Sequence, residues 1–189
     1  MITLIKIGLF LLAISILQAG EWQVDKKKEN SVVFKSSTTL LDFEGTTDKV
    51  DGYLYWEGDS LFGPDNQIYF EIPLATFDTG IGKRDRDMRE DVLETEKYPL
   101  AVFKGTITES NQNGNQYSLI SKGTMSLHGK VQQLVINGNA SLNGDELIVD
   151  SQFSIFLKDF DIEAPSLMAF VKVAQEIKII VRLTMKRIS

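Results

Sequence analysis

No cysteine occurs in the 189 residues, and histidine occurs once, at His128. The first absence excludes a disulfide framework, a thiolate metal site and a cysteine nucleophile. The second leaves any metal site to carboxylates alone. Positive charge is also short: 20 Lys and Arg stand against 26 Asp and Glu, a formal net charge of −6 at pH 7. That balance argues against a broad nucleic-acid or anionic-membrane face. Internal repeats, low-complexity linkers and composition shifts are absent, so nothing marks a second domain.

The N-terminus reads as a targeting segment. Lys6 precedes an apolar run from Ile7 to Leu17, interrupted only by Gly8 and Ser15, and Gln18-Ala19-Gly20 supplies small residues for cleavage. A comfortable membrane span needs about 20 apolar residues, so a cleaved signal peptide over residues 1–19 is the better reading, with an uncleaved anchor as the alternative. A lipoprotein anchor is excluded, because no cysteine stands near the cut. The expectation is a secreted protein, periplasmic or extracellular, whose residues 20–189 form one domain. A domain of that length buries a substantial core without staples.

From Trp22 onward the pattern has period two. Val50, Leu54 and Trp56 share one face against Asp51, Tyr53, Tyr55 and Glu57. After the turn cluster at residues 58–66, Ile68, Phe70, Ile72 and Leu74 alternate with polar positions up to Pro73, where a strand must end or lie at an edge. Further strands are expected over Val102 to Ile107, through Tyr117, Leu119, Met125 and Leu127, through Leu134, Ile136, Ala140 and Leu142, and over Leu147 to Leu157. The turns between them are expected at Asn111 to Asn115, at His128-Gly129-Lys130 and at Asn143-Gly144. The last strand carries Ile177, Ile179, Val181, Leu183 and Met185 on one face. About eight antiparallel strands, several near ten residues long, close more naturally into a barrel than a sandwich. The fold class expected is all-β: an eight-stranded antiparallel barrel with one short helical crossover.

That crossover, from Phe77 to Gly105, is dense in charge. A hard cation there would have to compete with Arg84, Arg86 and Arg89, interleaved among Asp85, Asp87, Glu90 and Asp91, so no metal is expected. Gly80-Ile81-Gly82-Lys83 fails the phosphate-loop pattern, which needs glycine at the position of Phe77. There is no nucleophile elbow, and a Ser-His-Asp triad would have to use His128. That residue sits in a Leu-His-Gly turn, where a hydrogen bond to the backbone is the simpler role. No catalytic residues are assigned, and no enzyme activity is expected.

Two readings of the crossover compete. In one it is a solvated helix with i,i+4 pairs such as Arg86 with Glu90, each worth about 0.2–0.5 kcal/mol. In the other, Arg84 and Arg89 reach Asp78, Asp85 or a backbone carbonyl and lock the segment over one end of the barrel. Met88, Val92 and Leu93, on one apolar helical face, then point inward as a lid.

Phe77 to Lys104 resembles the YceI-like family of secreted polyisoprenoid-binding proteins. The carrying residues are Asp78-Thr79-Gly80, Arg84-Asp85, Met88-Arg89, Val92, Lys97-Tyr98-Pro99 and Phe103. Trp22 to Asp25, Ser31 to Phe34, Leu127-His128-Gly129, Phe160-Asp161-Ile162 and Val173 to Leu183 match further landmarks in order. Asp87 stands where the family has histidine, Met88 where it has leucine, and Asp161 where it has glycine. Lys130 to Gln133 replace a stretch rich in threonine and proline. The resemblance implies a lipocalin-like barrel that holds an isoprenoid chain, such as a polyprenyl quinone, in its lumen, with Asp78, Thr79, Gly80, Arg84, Asp85, Arg89, Tyr98, Pro99 and His128 as structural motif residues.

The expected function is therefore a binding or carrier protein for a long-chain isoprenoid or other amphiphilic lipid, with no other cofactor and no nucleic-acid partner. The alternatives are an enzyme acting on a lipid-like substrate, or a packed barrel serving as an interaction module. The sequence leaves open whether two barrels pair as a homodimer. Alternation selects Phe70, Ile72, Phe103, Ile136, Phe153, Ile155, Ile179 and Val181 as lumen lining, with Met88 and Val92 at the lid. A one-residue slip in register would turn each strand's set outward.

Overall fold

The computed structural model describes residues 19–58, 61–164, 166–168 and 171–188. The expected signal peptide lies, but for Ala19, outside the described residues. Strands β1 (Ala19–Val24), β2 (Ser31–Ser37), β3 (Asp42–Thr47), β4 (Asp51–Glu57) and β5 (Asn66–Pro73) precede the crossover. The crossover holds a 3-10 turn at Leu74–Thr76, a short helix α1 (Gly82–Asp87) and a π-helical turn at Met88–Val92. Beyond it come β6 (Leu100–Asn113), β7 (Gln116–Leu127), β8 (Lys130–Asn143) and β9 (Glu146–Phe156). A 3-10 turn at Leu157–Phe160, the short pair β10 (Ser166–Met168) and β11 (Val171–Lys172), and β12 (Glu176–Arg187) complete the chain.

Hydrogen bonds run in the order β1-β4-β5-β6-β7-β8-β9-β12, and β12 pairs back onto β1, so eight antiparallel strands close a barrel as the period-two pattern predicts. β2 pairs with β12 through Val32↔Val181 and with β3 through Val32↔Thr47, so β2 and β3 add to the wall on the side that β1 and β4 leave uncovered. The line from β1 to β2 breaks between Asp25 and Asn30. There the buried Asn30 replaces the ladder: its Nδ2 donates to the Asp25 and Lys28 carbonyls at 2.9 and 3.1 Å, and its Oδ1 accepts the Thr184 N–H at 2.9 Å. A buried amide satisfied on three sides carries no desolvation penalty from an orphaned group.

The strands that carry most of the wall, β6, β7, β8, β9 and β12, are 14, 12, 14, 11 and 12 residues long. Three of their connections are two-residue hairpins, fixed by the pairs Asn113↔Gln116, Leu127↔Lys130 and Asn143↔Glu146. The turn expected over residues 111–115 is thus narrower than its Asn/Gln composition suggests. Residues 109–113 keep pairing with 116–120, and the turn is confined to Gly114-Asn115, with Gly114 at φ 64°. At His128-Gly129 both residues take positive φ, 51° and 73°, the combination that matches the twist of the flanking strands.

One end of the barrel is packed solid. Trp22 and Trp56 stack with centroids 6.5 Å apart, Phe62 meets Tyr117 edge-on at 5.1 Å, and Leu147 is fully buried beside them in the same core. Each such side chain contributes about 1.5–3 kcal/mol when removed from water. Asn66 ties this plug to the wall, exchanging two hydrogen bonds with the Ile107 backbone at 2.8 and 2.6 Å. The opposite end is covered by the crossover.

Candidate functional site

The crossover is held by hydrogen bonds between its own segments. Asp78 exchanges both backbone bonds with Thr46, each 2.9 Å, and so docks onto β3. Gly80, at φ 76°, turns the chain with its N–H on Asp78 Oδ1 at 2.7 Å. α1 has only six residues, too few to be stable alone, so its position depends on tertiary bonds. Asp85 supplies them: only 7% exposed, its Oδ1 accepts the Thr79 N–H at 2.9 Å and the Thr79 hydroxyl. Arg84 closes the loop from the other side, donating Nε to Thr79 Oγ1 at 2.8 Å and Nη2 to the Thr79 carbonyl at 2.7 Å. Arg89 Nη2 donates to the Phe77 carbonyl at 3.0 Å. Charge-assisted bonds of this kind are worth about 1.5–3 kcal/mol each.

Of the two readings that the sequence leaves open, these bonds have the form of a lock. The arginines reach a hydroxyl and carbonyls, and Asp85 bonds Thr79 instead of meeting either guanidinium within ion-pair distance. The outward i,i+4 ion pair of the helix is Lys83–Asp87, and Arg86 pairs with its neighbour Asp87 instead of with Glu90. Burial pushes the Asp85 carboxyl up. The two Thr79 donors and the nearby Arg89 and Arg84 charges outweigh it, and the net direction is below the usual carboxylate range. Above the lock, Arg84 lies over the Phe43 ring at 4.9 Å, and Phe77 packs edge-on against Phe34 at 5.3 Å.

The end of the crossover is fastened separately. The Leu74 N–H donates to the Pro99 carbonyl at 2.8 Å, and Glu94 O accepts the N–H groups of Lys97 and Tyr98. Tyr98 lies against His128 with ring centroids 4.6 Å apart. His128 bridges the Phe160 carbonyl through Nδ1 and Glu94 Oε1 through Nε2, both at 3.2 Å, and its ring does not line the cavity described next. Its role in the wall is the turn histidine bonded to backbone that the sequence suggests.

Between the packed plug and the crossover lies a cavity of about 550 Å³. The barrel is therefore open inside, and the reading of a solidly packed barrel does not hold. Phe70 and Ile72 of β5, Phe103 of β6, Ile136 of β8, Phe153 and Ile155 of β9, and Ile179 and Val181 of β12 all line it. Met88 and Val92 line it from the crossover, joined by Leu93. The sequence-based selection missed the first strands. Val32, Phe34 and Ser36 of β2 and Phe43 of β3 also face the lumen, as do Leu119 and Met125 of β7. The β2 alternation at Val32 and Phe34 was the available signal.

Charged lining is confined to α1, where Lys83, Arg84 and Asp87 stand at the mouth, beside the exposed Ile81 and Leu41. Among the described residues no three His, Asp or Glu side chains come together as a metal site. The wall offers an apolar guest close dispersion contact over its length, and polar partners at few places.

A YceI-like domain model matches residues 22–185. The chain superposes on BcnA from Burkholderia cenocepacia with a TM-score of 0.68 and 22% identity, covering 85% of this chain and 98% of that one. It superposes on a polyisoprenoid-binding domain from Saccharophagus degradans, implicated in plant cell wall breakdown, with a TM-score of 0.69 and 19% identity, covering 87% and 97%. At these identities the structural likeness speaks for the fold. No curated protein matches the chain in sequence.

Proposed function

Because this chain belongs to the YceI-like family, whose domain spans residues 22–185, we propose that it is a secreted carrier of a long isoprenoid or similar lipid, such as a polyprenyl quinone, held in the barrel lumen. The observation that carries this reading is the apolar cavity of about 550 Å³ closed at one end by aromatic packing and covered at the other by a hydrogen-bonded crossover. Pockets of about 300–1,000 Å³ with few polar groups suit ligands recognised by shape and apolar area. The Saccharophagus degradans neighbour, a polyisoprenoid-binding domain, supports the ligand class.

Export is part of the proposal. The apolar run at residues 7–17 with small residues at 18–20 supports cleavage after Ala19 and a periplasmic or extracellular location. Intact-mass measurement of the exported protein tests it: a chain that still begins at Met1 would count against cleavage.

The carrier reading is tested by extracting purified protein with organic solvent and identifying the lipid by mass spectrometry. Delipidated protein is then titrated with a prenyl quinone and with a fatty acid. A protein that carries no lipid and takes up neither ligand would overturn the reading. An enzyme acting on a lipid-like substrate is less well supported, since the one histidine lies off the cavity wall.

A further inference from the structure

Three serines face the lumen: Ser36, Ser121 and Ser151. Two of them are satisfied by the wall itself. Ser121 Oγ donates to the Ile136 carbonyl at 3.2 Å, and Ser151 Oγ donates to the Asn137 carbonyl at 2.8 Å. Ser36 differs. It is 7% exposed, its hydroxyl is buried, and Oγ meets no hydrogen-bond partner among the described residues. Among the described residues two other buried side-chain atoms share that condition, Trp22 Nε1 and Arg89 Nε, and neither residue lines the cavity. An orphaned hydroxyl in an apolar wall costs about 1–3 kcal/mol, so an alanine there would serve packing better.

The position of Ser36 says what it faces. It is the last inward residue of β2, after Val32 and Phe34, and it pairs across the ladder with Phe43. Phe43 lies under the Arg84 guanidinium at 4.9 Å. Ser36 therefore sits just inside the mouth, at the one end of the cavity where charge is found, while the far end is floored by Phe62 and Met185. A guest with one polar end and one apolar tail fits this gradient in a single direction.

We propose that Ser36 is the headgroup site of this cavity. Its hydroxyl donates a hydrogen bond to an acceptor oxygen on the ligand, so that the oxygen-bearing end lies under α1 and the tail runs toward Phe62. This rests on the carrier reading above and deepens it by naming the ligand's orientation and the chemistry of its head. Both a quinone carbonyl and a phosphate oxygen offer the required acceptor.

The test compares three probes on wild-type, Ser36→Ala and Ser36→Thr protein after delipidation: a short-chain prenyl quinone, a prenyl phosphate of the same chain length, and the corresponding hydrocarbon without a head. Losing one hydrogen bond lowers affinity by about 3–10-fold. In Ser36→Ala the affinity ratio of the oxygen-bearing ligand to the hydrocarbon falls by that amount, and Ser36→Thr restores it. Whichever oxygen-bearing probe shows the fall identifies the head as carbonyl or phosphate. An equal change for all three probes, or no change for either oxygen-bearing one, would overturn the proposal while leaving the carrier reading standing. Wild-type protein that binds none of the probes, carries no lipid and takes up no fatty acid would overturn both. A ligand-independent measurement keeps a folding artefact apart: thermal unfolding of delipidated Ser36→Ala occurs at or above the wild-type temperature. A drop would mean that the hydroxyl serves the protein itself, and would sink the proposal.

Discussion

One carboxylate oxygen of Asp85 accepts both the backbone N–H and the hydroxyl of Thr79, six residues earlier in the chain. The same hydroxyl accepts the Arg84 Nε–H, so three side chains converge on a single oxygen-rich point under α1. A six-residue helix has no intrinsic stability to hold a lid in place. The Asp85–Thr79 contact supplies it, and the covering of the cavity depends on a charge that sits just outside it.

The pH dependence of that contact follows from its direction. The Asp85 pKa is held below the ordinary aspartate value of about 3.9. A group whose folded pKa is depressed stabilises fully above the unfolded value, and that stabilisation is lost as the pH falls through the folded pKa. Asp85→Asn keeps the shape and removes the charge, and should cost about 1–2 kcal/mol at neutral pH. Urea denaturation at stepped pH checks this: the gap between wild type and variant should close as the pH drops beneath about 4. A gap that stays constant from neutral to acidic pH would contradict the role assigned to the charge.

Met88 joins the lock to the lumen, since it follows α1 directly and lines the cavity. Met88→Asp puts a carboxylate into the apolar lining of the crossover, and an unpaired charge desolvated there is strongly disfavoured. Release of a bound prenyl ligand into acceptor vesicles should speed up by at least about tenfold, equivalent to about 1.4 kcal/mol. Unchanged release, with the variant folded, would show that the crossover is not the lid.

Much of this arrangement was legible in the sequence. Alternation on β5, β9 and β12, broken only at positions such as Ile148 and Ile180, indicates which side chains face inward, because closure leaves each strand one dry face. The density of Arg and Asp from Asp78 to Arg89 is compatible with a lock and equally with a solvated helix. What it does not announce is the wiring of the lock. The choice of Thr79 as the common partner depends on the Gly80 turn, which brings its hydroxyl back over Asp85. Nor was the open lumen legible, since Phe, Ile and Val on an inward face fill a barrel or line one equally well. Ser36 is illegible for a related reason: a single serine at the end of an apolar strand face is ordinary in sequence, and only its unpartnered hydroxyl sets it apart.

Asp161 offers a prediction from backbone conformation. It takes φ 59° and ψ 30°, the left-handed region that favours glycine. A residue with a Cβ is disfavoured there by roughly 1–2 kcal/mol, less for aspartate than for most. Its carboxylate pairs with Lys130 at 3.0 Å, but both side chains are more than half exposed, and such pairs contribute little. Asp161→Gly should therefore raise stability by about 0.5–1 kcal/mol, as read from chemical denaturation. A loss would mean that the Lys130 pair matters more to this corner than its exposure implies.

His128 separates structure from chemistry. Its φ of 51° is tolerated by asparagine, so His128→Asn preserves the hairpin while removing the ring. The ring contact with Tyr98 and the bridge from the Phe160 carbonyl to Glu94 are lost together, fastening the end of the crossover less firmly to the β7–β8 turn. The cost should be about 1–2 kcal/mol in thermal or urea unfolding. Because the ring does not line the cavity, equilibrium affinity for a prenyl quinone should match that of wild type wherever both proteins are folded. A variant that keeps its stability but loses a hydrolytic or transfer activity on a lipid would reverse the assignment and make His128 part of a reaction. Stability lost and affinity kept is the outcome that the wall geometry requires.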